Sequence, residues 1–405
     1  MKRRELLLAV YLPTALLAFS QGVIILSLPL LATETSDAYS FASLIVSAAA
    51  FGTLIADVPT GSLMIRMGLK RTMVIGTVLV ALSTLLLAFP LGAEPQLALR
   101  LIAGIGTAFW GLSRYTYITQ QIPQHLRGRA IASFGGINRA GTFAGPLIAG
   151  WIVTQAGLHI SFAFAGGLGI IATLAALIWI PDDASVGASG SGSHLGEIAG
   201  TWKALAGRRA DVLFGALGQV LAQVVRQGRQ FLIPLYGVEI LGLSAFDVGV
   251  VMTTSAVIDM LLFGPAGFLM DRFGRKFAIV PSFTLMCTGI AMIPFADGFG
   301  GLLLAGIVIG FGNGLGSGTM MTLGADFAPQ GFTGTFLSLW RFIGDSGQML
   351  GPILVGVVAQ LFDLRESAWV LAGCAAACAL MMLFLVRETR VDRATHTAEP
   401  ASGAT

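Results

Sequence analysis

The chain has 405 residues, of which 55% are hydrophobic and 11% charged, and its mean hydropathy is +0.82. That leaves too little polar surface to cover a water-soluble globule, so the lipid bilayer is the implied surrounding. The net charge of +3 reflects how basic residues are distributed along the chain, and nucleic acid is excluded as a partner.

A spanning helix needs roughly 17 to 25 mostly apolar residues. Runs of that kind lie near 6–31, 41–65, 72–91, 97–121, 130–155, 160–180, 212–236, 247–270, 277–296, 301–325, 335–361 and 368–386, twelve in all. Closed barrels would instead show alternating segments of about ten residues. The expected fold class is therefore all-α integral membrane. The opening "MKRRELLLAVYLPTALLAFSQGVIILSLPLL" starts like a signal peptide but outruns an apolar region of about 7 to 15 residues, and reads as the first spanning helix. Lys2, Arg3, Arg4, Arg66, Lys70, Arg71, Arg127, Arg129, Lys203, Arg208, Arg209, Arg272, Arg275, Lys276, Arg387, Arg390 and Arg393 flank alternate connections, whereas the opposite ones offer Arg365 alone. By the positive-inside rule both termini are cytoplasmic, as expected of a multi-pass protein of the plasma (bacterial inner) membrane.

After the sixth run, "PDDASVGASGSGSHLGEIAGTWKALAGRRAD" breaks the apolar pattern with Gly and Ser. Leu195, Ile198, Trp202 and Leu205 recur there at helical spacing beside Lys203, which fits a short surface helix or a plain linker. The expected organisation is a bundle over 1–180, a cytoplasmic linker over 181–210, a second bundle over 211–392 and a disordered tail over 393–405. Cys287, Cys374 and Cys378 fall inside apolar runs, and His125, His159, His194 and His396 lack ligand spacing. No metal and no cofactor are expected.

One spacing recurs. "GSLMIRMGLKR" at 61–71 is answered by "GFLMDRFGRKF" at 267–277, with Gly61 and Gly267, Arg66 and Arg272, and Gly68 and Gly274 paired at 267 − 61 = 206. "PQHLRG" at 123–128 and "PQGFTG" at 329–334 keep that offset. So do "GTFAGPLIAG" at 141–150 and "GQMLGPILVG" at 347–356. Two six-helix repeats in tandem follow, an architecture whose substrate sites lie near the bilayer midplane between repeats.

These residues resemble the major facilitator superfamily over residues 6 to about 390. Its motif between the second and third helices, Gly-x-Leu-x-Asp-Arg-x-Gly-Arg-Lys or Arg, is complete in the second copy at Gly267, Leu269, Asp271, Arg272, Gly274, Arg275 and Lys276. In the first copy Ile65 replaces the acid and Leu69 an arginine. "RLIAGIG", with Arg100, and "GTFAGPLIAG", with Gly141, Gly145, Pro146 and Gly150, are similar to motifs of the branch that exchanges drugs or metabolites for protons. The resemblance implies a pseudo-symmetric fold of twelve helices in which the first, fourth, seventh and tenth line a central cavity.

Charges within spans cost roughly 2.5 to 3.5 kcal/mol each even on lenient scales, so each needs a partner, a watery cavity or a function. Arg100, Arg114, Arg139, Arg226, Arg229 and Arg341 face Asp57, Asp259, Asp326 and Asp345. Arg100, Thr107, Trp110, Arg114, Tyr117 and Gln121 follow steps of three, four and seven along one face, and Gln219, Gln223, Arg226 and Gln230 form a second stripe beside Arg229. With Gln21 and Asn313 they are the expected cavity wall; the same stripes also fit an interhelical network that fixes packing. Asp57, Arg139, Asp259, Arg341 and Asp345 are the candidates for proton coupling or gating, with Asp57 expected against Arg341 and Arg139 against Asp259. Gly141, Gly145, Pro146, Gly347, Gly351 and Pro352 read as packing and hinge positions.

"GFGNGLGSG" and "GDSGQ" mimic enzyme loops but sit within spans, and no histidine lies in a span to activate Ser346, so no enzyme is expected. The expected function is a monomeric secondary transporter working by alternating access, exporting a small-molecule substrate against protons. Uptake or exchange of an organic anion gripped by the arginines, and a receptor or scaffold that lost transport, stay open alternatives.

Overall fold

A computed structural model describes residues 7–121, 124–180, 200–202, 204–205 and 207–389, with residues 7, 121 and 124–134 as backbone only. Lys2, Arg3, Arg4, Leu195, Ile198, Lys203, Arg390, Arg393 and the tail over 393–405 lie outside the described residues, as do the side chains of Gln121, Arg127 and Arg129. The described chain is helical, with no strand among the described residues. A π-helical turn, Leu7–Tyr11, leads into α1 (Leu12–Thr35). Then come α2 (Tyr39–Met67), α3 (Leu69–Leu86), α4 (Ala93–Gln121), α5 (Gln124–Ala156) and α6 (Leu158–Trp179). The second set is α7 (Arg209–Leu235), α8 (Ala245–Phe273), α9 (Lys276–Met292), α10 (Phe299–Leu315), α11 (Thr319–Phe327), α12 (Thr333–Leu361) and α13 (Leu364–Phe384).

Each apolar run becomes a helix, and the run at 301–325 becomes two, α10 and α11. Among the described residues, 9 spans are long and apolar enough to cross a membrane, with α10 and α11 counted as one. The other helices, α4, α5 and α7, have 29, 33 and 27 residues. They have the length, and fall short in composition because they hold the polar stripes and five of the six span arginines. Helix ends follow local chemistry. Ser244 and Asp247 form a reciprocal capping box before α8, and Asp363 accepts from the backbone N–H of Glu366 before α13. Gly68 and Gly274 end α2 and α8 at φ of +85° and +114°, where a Cβ would be strained.

The 206-residue offset is written into the packing as well as the sequence. In the first set α1 packs on α5 and α2 on α4; in the second, α7 packs on α12 and α8 on α10. Gly141 and Gly145 lie against the backbone of Ala18 and Gly22, and Gly347 and Gly351 against that of Val220 and Val224. A Cβ on Gly104 would strike the carbonyl of Ala49, and one on Gly310 would strike that of Ser255. Backbones this close gain dispersion and interhelical contact that larger residues would block.

The sets meet along α5 with α8 and along α2 with α12. At the end away from the 61–71 and 267–277 motifs, hereafter the distal end, the contact is tight. Ser47 donates to the Met349 carbonyl at 2.9 Å and Thr253 to the Phe143 carbonyl at 3.0 Å. The Phe246 N–H reaches the Thr154 hydroxyl at 3.2 Å, and the Tyr39 hydroxyl donates to Glu239. Toward the motif end the facing helices part. Val58 on α2 is 83% exposed and Leu261 on α8 is 69% exposed, and a Cβ on Gly61, Gly264, Gly267 or Gly334 would meet nothing within 4 Å. The molecule is closed at the distal end and splayed at the motif end.

Candidate functional site: a polar cavity beside a broken helix

The break between α10 and α11 organises the centre of the molecule. The glycines that end α10 and begin α11 turn the chain, with Gly318 at φ +77°, and the interruption frees backbone groups that side chains then satisfy. Arg226 of α7 donates to the Gly316 carbonyl at 2.8 Å while lying over the Phe283 ring at 5.8 Å. Arg229, one turn along, reaches the Ser255 hydroxyl at 3.5 Å.

Asp259 of α8 faces the same break. It accepts from Asn313 at 2.9 Å and from Ser317 at 2.9 Å. From the other set, Arg139 stands 3.8 Å away, donates weakly to Ser317 at 3.4 Å and lies 4.6 Å from the Phe263 ring centroid. Arg139 and Asp259 are thus brought together across the seam, with Ser317 bridging them. Both are partly accessible, at 37% and 21% of their side chains, so water screens the pair.

A cavity of about 320 Å³ opens beside these groups. Gln219, Gln223 and Arg226 of α7, Arg341, Asp345 and Gln348 of α12, Tyr115 of α4, and Gly318, Met320 and Met321 at the start of α11 form its wall. Arg341 is paired with Asp345 at 3.6 Å, one turn along its own helix, and Gln348 donates to Asp345 at 2.6 Å. Asp57 lies near enough for its charge to act on Arg341, yet no ion pair joins the two among the described residues. The expected partner of Arg341 is replaced by Asp345 because α2 and α12 have separated at this depth.

The α4 stripe divides. Arg114 reaches Thr14 at 3.4 Å and lies over Trp110 and Tyr115 at 5.9 and 5.5 Å. Trp110 and Tyr117 are instead buried in an apolar cluster with Met64, Leu69 and Met73, and Tyr115 takes the place on the wall expected of Tyr117. Thr107 donates to the Ala103 carbonyl of its own helix at 2.9 Å. Arg100 is buried, and its Nε has no partner among the described residues. Gln21 is exposed on α1, and neither it, Gln230 nor Arg229 lines this cavity.

At the motif end, Arg275 donates to Asp326 at 2.8 Å and pairs with Asp271 at 3.4 Å. The hydrogen bond to Asp326 holds its guanidinium above the ordinary pKa. Glu388 accepts from the backbone of Arg275 and Lys276 at 2.8 and 3.0 Å, and Thr389 donates to Asp326 at 2.7 Å. Asp326, expected among the span charges, therefore belongs to this cluster. Arg272 lies over Phe268 and Phe273. The first copy keeps Arg66 and Lys70 but lacks counterparts of Asp271, Arg275 and Asp326: 206 residues earlier stand Ile65, Leu69 and Gln120, Leu69 is fully buried, and Ile65 and Arg66 are exposed. Sequence reasoning missed Ser317, Tyr115, Gln348, Met320 and Met321; the glycine density over 310–318 was the one available signal.

Similarity to known proteins agrees with this architecture. The chain is 33% identical over 143 residues to the putative metabolite transport protein YwtG of Bacillus subtilis (strain 168), covering 35% of this chain and 30% of that protein. It is 22% identical to the quinolone resistance protein NorA of Staphylococcus aureus (strain MSSA476), covering 91% and 92% of the two chains. A crystal structure of a D-xylose-proton symporter superposes with a TM-score of 0.75 at 19% identity, covering 96% and 99%. The profile of the Major Facilitator Superfamily matches residues 10–347 and 216–404, so between them the matches take in both repeats and the seam that holds the cavity. The chain belongs to the Major Facilitator Superfamily of membrane transporters.

Proposed function

We propose that this transporter exports small organic molecules in exchange for protons by alternating access. The observation that carries the reading is Asp259, a carboxylate at the seam whose partners come from both sets: Asn313 and Ser317 from its own and Arg139 from the other. Its protonation would remove the charge that holds Arg139 at mid-depth, tying proton binding to the rocking of the sets. Export is supported by the likeness to a quinolone resistance protein, and proton use by the fold shared with a proton symporter.

In this reading α4, α5 and α7 cross the bilayer with the more apolar spans, giving twelve crossings in two bundles over 1–180 and 211–392. Their lower hydropathy is the expected mark of helices that line water. The motif end and both termini face the cytoplasm, and the arrangement described is inward-open. The test is flux in proteoliposomes with an imposed pH gradient and internal pH recorded. Substrate accumulation that follows the gradient, with opposite proton movement, is expected; flux indifferent to the gradient would remove the proton-coupled reading.

A further inference from the structure

The cavity beside α7 has more positive charge in its wall than its own carboxylates balance. Arg226 and Arg341 line it against Asp345, and Asp345 is engaged by Arg341. Arg226 is anchored by its bond to the Gly316 carbonyl, while its Nε–H finds no acceptor among the described residues. The same wall includes the start of α11, where Gly318 precedes a helix of 9 residues. The first-turn N–H groups of Met320 and Met321 have no acceptor within that helix and stand at its positive pole. Independently, Gln219 lines the cavity, is 3% exposed, and its amide oxygen has no partner among the described residues. A buried amide left unsatisfied at a cavity wall is rare without a ligand to complete it.

We propose that this corner holds an anionic group of the transported molecule, a carboxylate or a phosphate, between Arg226 and the start of α11. The fork of Arg226 suits the planar, two-oxygen face of such a group. The Gln219 amide adds a donor to the anion and an acceptor for a hydroxyl on the same molecule. Met320, Met321 and Tyr115 cover its less polar remainder, and about 320 Å³ is at the small end of ligand pockets, which fits a metabolite-sized acid. The assignment rests on the reading of this cavity as the substrate path.

The test uses the full-length protein in nanodiscs, with apparent Tm followed against benzoate, inorganic phosphate and benzylammonium at matched ionic strength. Benzoate or phosphate is expected to raise Tm and benzylammonium not to. A phosphate response alone names a phosphate group, and a benzoate response alone a carboxylate. In Arg226→Gln the anion concentration needed for the same shift should rise about tenfold or more, with Arg226→Lys intermediate. If Arg226→Gln does not fold, Arg226→Lys and Gln219→Leu still carry the comparison. Stabilisation by benzylammonium equal to that by benzoate, or an anion response unchanged in the variants, overturns the site. Loss of anion selectivity with pH-coupled flux intact overturns the anion site alone. Anion binding through Arg226 without counterflow of labelled benzoate supports the site and overturns transport.

Discussion

Ser47 and Thr253 stand 253 − 47 = 206 residues apart and make the same bond on opposite seams. Ser47 donates to the carbonyl of Met349 and Thr253 to that of Phe143, and those acceptors are also 206 apart. One turn or two further out, Gly150 faces the Ala245 carbonyl and Gly356 the Tyr39 carbonyl, again related by the offset. The distal closure is one contact used twice.

It follows that bulk at either glycine opposes the closure. In Gly150→Leu or Gly356→Leu the added side chain meets backbone, which cannot rotate away, and overpacking of that kind costs about 1 to 3 kcal/mol. A two-state equilibrium moved by this amount changes by roughly 5- to 150-fold. Spin-label distances across the distal end, between α2 and α12 or α5 and α8, should lengthen in both variants and more so in the pair. Distances unchanged from the wild type would mean that the closure does not depend on these contacts.

Asp259 gives the second expectation. Asp259→Asn keeps the shape and the contact to Ser317 but removes the charge that faces Arg139. Counterflow of substrate should persist, while accumulation driven by a pH gradient is lost. Ser317→Ala, which removes the bridge but not the carboxylate, should weaken coupling and retain its direction. Uphill transport by Asp259→Asn with unchanged pH dependence would exclude it as the proton carrier.

The trio Asp271, Arg275 and Asp326 stands in the second copy only, Ile65, Leu69 and Gln120 holding those places in the first. Asp326→Asn removes the negative charge that Arg275 and Thr389 donate to, leaving at most a neutral amide oxygen, and should lower the apparent Tm, since charge-assisted bonds contribute about 1.5 to 3 kcal/mol each. Leu69→Arg places a guanidinium where the first copy has a buried leucine and Gln120 in place of an acid, so it should be more damaging. Adding Gln120→Asp should recover part of that loss. A double variant no more stable than Leu69→Arg alone would show that the two repeats differ here in geometry as well as in residue type.

The repeat, the helices and the pairing of Arg139 with Asp259 were legible because each is written as spacing or as depth along a helix. The wall of the cavity was less so. A stripe drawn in steps of seven drifts about 20° per heptad on a straight helix, and by Tyr117 the α4 stripe has turned into the core, bringing Tyr115 to the cavity. The break at 316–318 was read as part of one span because Gly and Ser suit both a tight helix contact and a turn, and what decides between them is the packing of Arg226 and Asp259 around the freed backbone. The partner of Arg341 depends on which end of the molecule is open, and a sequence holds both states at once.

That last point carries a prediction about gating. Arg341 is 62% exposed and paired with Asp345 on its own helix, while Asp57 lies on the facing helix α2. Closing the motif end brings α2 and α12 together, and Arg341 is then expected to exchange Asp345 for Asp57. The exchange leaves the number of ion pairs unchanged, so it gives specificity to the closed state without fixing the molecule there. Asp57→Asn should therefore favour the motif-end-open arrangement, read as greater labelling of single cysteines placed at Gly61 or Gly267. Combining it with Arg341→Ala should add little, because coupled partners are not additive. Asp345→Asn should act in the opposite sense, freeing Arg341 for Asp57 and reducing labelling at the same positions. Additive effects of Asp57→Asn and Arg341→Ala, or an Asp345→Asn variant that labels faster than the wild type, would rule out the exchange.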